Sequence, residues 1–177
     1  MATAILPLRV LVSDPSERFQ LRFAEQGALL LAEFSGVRAR PCATGLEISS
    51  VTERDLKAAA EMIRIAFPHV SVGKPEINYL DGGALEPYVR IRVSTPEDFY
   101  GDIIVQLNQR HGLIESLDDD GDRKIVTAIA PLAEMLGYDS IAAKTTQSKA
   151  LVDCEFLEFR PKSDETPVPP KSPAARA

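Results

Sequence analysis

Tyr88-Val89-Arg90-Ile91-Arg92-Val93-Ser94, with the Thr95-Pro96-Glu97-Asp98 that follows, decides the fold. Val89, Ile91 and Val93 alternate with Tyr88, Arg90 and Arg92, the period of a strand with one buried and one solvated face. Thr95 then reads as a helix cap, with Pro96 at the first helical position and Asp98 three beyond the cap. Phe99, Ile103, Ile104 and Leu107 recur at helical spacing, and Gly112 is placed as the left-handed residue that ends the helix. Further on, residues 113–117 and 124–130 read as a hairpin around the acidic turn 118–122. Residues 131–136 read as a short helical turn, a helix is expected from about Asp139 to Ser148, and residues 151–159 close the set as a strand. The order is β-α-β-β-α-β, the split pattern of a ferredoxin-like domain.

The same order stands upstream. Residues 8–13 read as a strand, and Asp14-Pro15-Ser16-Glu17 as a helix start whose stripe is Phe19, Phe23, Leu30 and Phe34. Two short strands, 37–41 and 46–51, meet at Thr44-Gly45. Thr52-Glu53-Arg54-Asp55 opens a second helix that buries Leu56, Ala59, Ala60, Ile63 and Phe67 before Pro68 stops it. Residues 70–80 are extended, with Pro75 marking a sheet edge, and Asp81-Gly82-Gly83-Ala84 reads as a flexible hinge. The expected architecture is therefore α+β: two ferredoxin-like domains in tandem, residues 1–81 and 85–161, each with an antiparallel four-stranded sheet. The proline-rich tail 162–177 has too few large apolar groups to offset its ordering entropy and is expected to be disordered.

Composition narrows the function. Residues 1–84 carry 9 basic and 10 acidic side chains, whereas residues 85–161 carry 8 and 14, a balance of −6 that equals the net charge of the whole chain. A protein that grips nucleic acid through many phosphates shows a basic face, so autonomous tight binding to nucleic acid is not expected. The two cysteines, Cys42 and Cys154, read as apolar thiols in a reducing compartment. The apolar run 4–12 is short, holds Pro7 and Arg9 and lacks a basic leader, and no stretch approaches the roughly 20 apolar residues of a membrane span. No membrane association and a cytoplasmic location are expected.

Three stretches carry a resemblance. They are Leu85-Glu86-Pro87-Tyr88 with Thr95-Pro96-Glu97 and Gly101-Asp102; Leu107-Asn108-Gln109-Arg110-His111-Gly112-Leu113-Ile114; and Pro131-Leu132-Ala133-Glu134-Met135-Leu136-Gly137-Tyr138 with Thr146-Gln147. In this order and spacing they resemble the C-terminal domain of translation elongation factor G. The first half is similar to that family's third domain in its element order and in Val72-Gly73-Lys74-Pro75-Glu76-Ile77-Asn78-Tyr79. Where the family opens its second helix with Gly-Glu-Leu-His-Leu-Glu, this sequence has Thr52-Glu53-Arg54-Asp55-Leu56-Lys57. A phosphate-cradling loop needs Gly-Lys followed by Ser or Thr, and the only Gly-Lys pair here, Gly73-Lys74, precedes proline. These 177 residues are therefore expected to lack the family's GTPase domain, and Gly82-Gly83 stands where the family carries a further domain.

The resemblance implies a non-enzymatic protein that binds the factor-binding region of the ribosome or a translation-related protein partner. A stand-alone interaction or ligand-binding scaffold that has lost the ribosome is the alternative. Lys144, Thr146, Gln147 and Lys149 occupy the stretch that the family writes close to Leu-Arg-Ser-x-Thr-Gln-Gly-Arg, and with Arg110 and His111 they are the candidate RNA- or partner-binding residues. Lysine keeps a point charge there but loses the bidentate arginine fork. Tyr88, Arg90 and Arg92 invite an RNA platform, but Asp153 and Glu155 are expected to face them across the closing strand. Asp118-Asp119-Asp120-Gly121-Asp122 invites a calcium loop, but the twelfth position would be Thr127 where a bidentate glutamate belongs. His69 and His111 lack a second ligand at metal spacing, and no nucleophile–base set is present, so no cofactor, metal or catalytic residue is expected.

Overall fold

The computed structural model describes residues 5–162. The first sheet is built from β1 (Leu8–Ser13), β2 (Val37–Cys42), β3 (Gly45–Ser50) and two short pieces, β4 (Ser71–Val72) and β5 (Glu76–Ile77). Its order is β2-β3-β1-β4, and β5 also pairs with β1, so the fourth strand is one edge cut in two. Pro75 lies in the break, since it has no N–H to offer the ladder. Helices α1 (Gln20–Leu30) and α2 (Glu53–Ala66) cover the sheet. Leu8, Val10, Val12, Leu46 and Ile48 meet Leu56, Ala59 and Ile63 in the core, and Phe23 packs edge-on against Phe67 at 5.1 Å.

Two expectations for this half change. Helix α1 begins at Gln20, because Gln20 Oε1 accepts the Asp14 N–H and Asp14 Oδ1 accepts the Ser16 N–H, which holds 14–19 as a turn. Its buried stripe is Phe23, Ala24 and Gly27, while Phe19 and Leu30 are exposed. The cap on α2 stands as expected: Thr52 Oγ1 accepts the Asp55 N–H at 3.1 Å and donates to the Asp55 carboxylate.

The second sheet has the order β7-β8-β6-β9, formed by β6 (Leu85–Pro96), β7 (Leu113–Asp120), β8 (Arg123–Pro131) and β9 (Leu151–Pro161), all antiparallel. Helix α3 (Tyr100–Gln109), the single turn α4 (Leu132–Met135) and α5 (Tyr138–Thr145) cover it. Val89, Ile91 and Val93 are buried against Ile103, Leu107, Tyr138 and Ala142, the alternation read from the sequence. The whole is the tandem ferredoxin-like architecture expected.

Here too the local chemistry differs at points. Thr95 does not cap a helix: β6 runs through Pro96, a 3-10 turn spans Glu97–Phe99, and the Thr95 hydroxyl is buried without a partner among the described residues. The left-handed residue after α3 is His111 (φ 57°), not Gly112. Gly112 is required for a different reason: its N–H bonds Leu107 O at 2.9 Å, and a Cβ would stand 2.8 Å from that oxygen. The strands of the acidic hairpin extend to Asp120 and Arg123, leaving Gly121-Asp122 as the turn.

The 81–84 segment is not an open hinge but a closed turn, with Leu80 and Leu85 bonded N–H to O in both directions at 3.0 and 3.1 Å. Of the expected tail, Lys162 is ordered onto the fold: its N–H bonds Ala84 O, and its ammonium lies 5.6 Å from the Tyr79 ring centre. Residues 163–177 of that tail lie outside the described residues.

Candidate functional site

The α3–α5 layer carries the sequence-nominated residues, and a polar bridge ties its two helices together. Gln106 Nε2 donates to Thr145 Oγ1 at 2.6 Å, and the Tyr138 hydroxyl meets Gln106 Oε1 at 3.3 Å. The helices run in opposite directions across this bridge, so the six residues fall at two corners rather than one.

At the first corner, the Arg110 guanidinium stacks 5.5 Å from the Tyr138 ring and donates to Glu134 O. His111 lies beside it, exposed, with Nδ1 3.7 Å from Glu134 Oε1. Arg110 thus joins the C-terminal end of α3 to α4 and α5, and much of its donor capacity is engaged within the fold. Burial pushes the Tyr138 phenol up to about 12, against the opposing pull of Arg110.

At the second corner, Lys149 Nζ lies 5.7 Å from the Phe99 ring, at the start of α3. Lys144 is exposed on the last turn of α5, and Gln147, Ser148 and Lys149 form an exposed loop into β9. Thr146 belongs to the interior instead. Its hydroxyl, fully buried, donates to Ala142 O at 2.7 Å and accepts the Ala150 N–H at 2.9 Å. Two successive non-glycine residues, Gln147 and Ser148, hold left-handed backbone at φ 54° and 62°. Such backbone persists only where its surroundings over-determine it. Here the Ser148 N–H bonds Ala143 O, and Arg123 clamps the loop from below, donating to Lys149 O at 2.8 Å and to both Ser94 oxygens. Arg123 carried no signal in the sequence, because its partners are backbone and hydroxyl oxygens brought together by β6 and β8.

The open sheet faces are neutralised. Arg90 lies between Glu115 at 3.0 Å and Glu155 at 3.4 Å, and those carboxylates hold its pKa above the usual arginine range. Arg92 is in register with Asp153, and Tyr88 is covered by the Arg160 guanidinium at 5.0 Å. The first sheet repeats the device, with Arg40, Glu47, Arg9 and Glu76 linked in a row at 2.9, 3.8 and 2.8 Å. In the acidic hairpin Asp119 pairs with Lys124, and among the described residues no group of three or more His, Cys, Asp or Glu is placed to hold a metal.

Between the domains lies a cavity of about 140 Å³, walled by the start of α2 and by Met135, Val152 and Cys154. Burial, reinforced by Asp139, Asp153 and Glu53, pushes the Cys154 thiol up to about 12. Cys42 is partly buried, with Sγ 3.2 Å from Gly45 O, and neither cysteine is in a disulfide. Among the described residues no helix is long and apolar enough to cross a membrane.

Residues 83–167 match the model of a known family, elongation factor G C-terminus. Among solved structures, a crystal structure of a Thermus thermophilus protein superposes on 96% of this chain with a TM-score of 0.59 at 15% identity. That alignment takes in 42% of the other protein, so this chain spans less than half of that structure's length. At such identity the likeness shows the fold, and it extends over both sheets.

Proposed function

Because residues 83–167 match the elongation factor G C-terminal family, we propose that this chain is a non-enzymatic, translation-factor-like protein that docks on the factor-binding region of the ribosome. The observation that carries the reading is the clamped loop Gln147-Ser148-Lys149 beside Lys144. It presents two ammonium groups and an amide on a rigid support, which lowers the ordering cost of binding an anionic backbone. Arg110 and His111, at the opposite corner, form a second and weaker contact. The first half acts as a counterpart of the family's third domain. A cytoplasmic location follows from this role.

Pelleting with purified ribosomes at about 50 mM salt tests the reading. The protein is expected in the pellet, and Lys144→Glu with Lys149→Glu is expected to leave it in the supernatant. Absence of wild-type protein from the pellet, with a folded and monodisperse sample, removes the proposal.

A second reading, a stand-alone interaction scaffold without the ribosome, is favoured by the arginines of both open sheet faces, which lie against carboxylates. A pull-down from native lysate separates the two. Ribosomal proteins among the captured species support the first reading, and their absence beside a different stoichiometric partner supports the second.

A further inference from the structure

Glu53, the first residue of α2, reaches out of its own domain. Its Oε2 accepts the Gly137 N–H at 2.8 Å, and its Oε1 holds the Lys57 ammonium at 2.6 Å. Gly137 is the left-handed residue (φ 72°) that opens α5. One carboxylate therefore stands at the N-terminal ends of two helices from different domains, where aligned peptide dipoles favour negative charge from both sides. Thr52 already caps α2 through the Asp55 N–H, which leaves Glu53 available to cross the seam.

Beside the Glu53–Gly137 bond, the seam holds the Leu80–Leu85 pair, the Lys162 ammonium 5.6 Å from the Tyr79 ring, and a cavity. The cavity beside Glu53 is walled by both domains, so atoms that would pack across it lack partners there. Asp139 and Asp153 line it from one side and Asp55 from the other, with Arg54 among them, so like-charge repulsion and opposite-charge attraction offset each other there. The connecting turn is closed by the Leu80–Leu85 bonds, but within it Gly82 and Gly83 have φ of 65° and 103°, and nothing lies within 4 Å of where a Cβ would stand on either. Backbone of this kind can absorb a change in dihedral angles without a clash.

We propose that Glu53 is an interdomain latch: its bond to Gly137 holds the two domains closed about the 81–84 turn, and breaking it lets them reorient and opens the Cys154 cavity. The latch stands apart from the docking loop, so it holds or fails whether or not the chain binds ribosomes.

Residual dipolar couplings of the full-length protein, measured for backbone amides of residues 8–77 and 85–161, test it. Wild type and Glu53→Gln, which keeps an acceptor oxygen, are expected to fit one alignment tensor. Glu53→Ala is expected to need two, with Gly137 amide exchange faster by about tenfold and the sheet amides unshifted. A single tensor in Glu53→Ala overturns the latch, as do two tensors in the wild type. Should the alanine variant fail to fold, Glu53→Asp, one methylene too short for the bond, carries the same expectations. Thiol labelling in a Cys42→Ser background gives an independent reading. Cys154 is expected to react about tenfold faster with Ala than with Gln at position 53, and equal rates overturn the proposal.

Discussion

Ser148 holds its backbone at φ 62°, where a Cβ is crowded by the neighbouring carbonyl. The family stretch that resembles this loop has glycine at that place, so Ser148→Gly is expected to raise stability by about 0.5–1 kcal/mol, read from urea midpoints. Thr146→Val acts in the opposite sense. It leaves Ala142 O and the Ala150 N–H without their buried partner and is expected to cost about 1–3 kcal/mol by the same measurement. Cys154 supplies a pH dependence. Its thiol binds the proton more tightly in the folded protein, with the pKa raised from 9.0 to about 12, so the associated stability is complete below about pH 9. It is lost as pH rises from there towards 12, and Cys154→Ser is expected to flatten that part of the pH–stability curve, followed by chemical denaturation at fixed pH.

At the level of elements, α2 shows what a sequence can specify by itself. Its cap, its stripe of Leu56, Ala59, Ala60 and Ile63 and its end at Pro68 are local choices that agree with one another. Thr52→Ala, which removes the cap, is expected to destabilise the first domain by about 1 kcal/mol, measured from the denaturation of that domain's amide signals. The starts of α1 and α3 were less legible. Asp14 and Thr95 each precede a proline, the usual signature of a helix start, yet Asp14 engages in a turn with Ser16 and Gln20, and Thr95 is drawn into β6 opposite Lys124. For Thr95 the overriding partner is a strand far along the chain, and for Asp14 it is a side chain six residues further on, so neither could be read from the cap signal alone. The docking candidates divide in the same way. Exposure of Lys144, Gln147 and Lys149 follows from polarity, whereas the burial of Thr146 and the clamp from Arg123 depend on how β6, β8 and α5 meet.

For the molecule as a whole, charge sets the conditions under which docking can occur. A net charge of −6 opposes approach to RNA at long range, and the Lys144–Lys149 corner offers its exposed ammonium groups beside the clamped loop. If both lysines meet phosphates, the logarithm of affinity is expected to fall against the logarithm of salt with a slope of about −1.4 to −1.8, measured by pelleting over a salt series. The open sheet faces bear on a different hazard. Each sheet ends in strands whose free N–H and C=O groups could recruit another chain, and three of the four borders are spoiled, each in its own way. On the first sheet, one border is chopped into two-residue pieces around Pro75, and the other carries Pro41 with Arg38 and Arg40. On the second, β7 ends in Asp118-Asp119-Asp120, so a second copy would bring like charge against like. A chain with four sheet borders packed into so short a length can therefore stay dispersed when concentrated, and fibre formation should first follow changes that heal the Pro75 interruption rather than those that loosen the core.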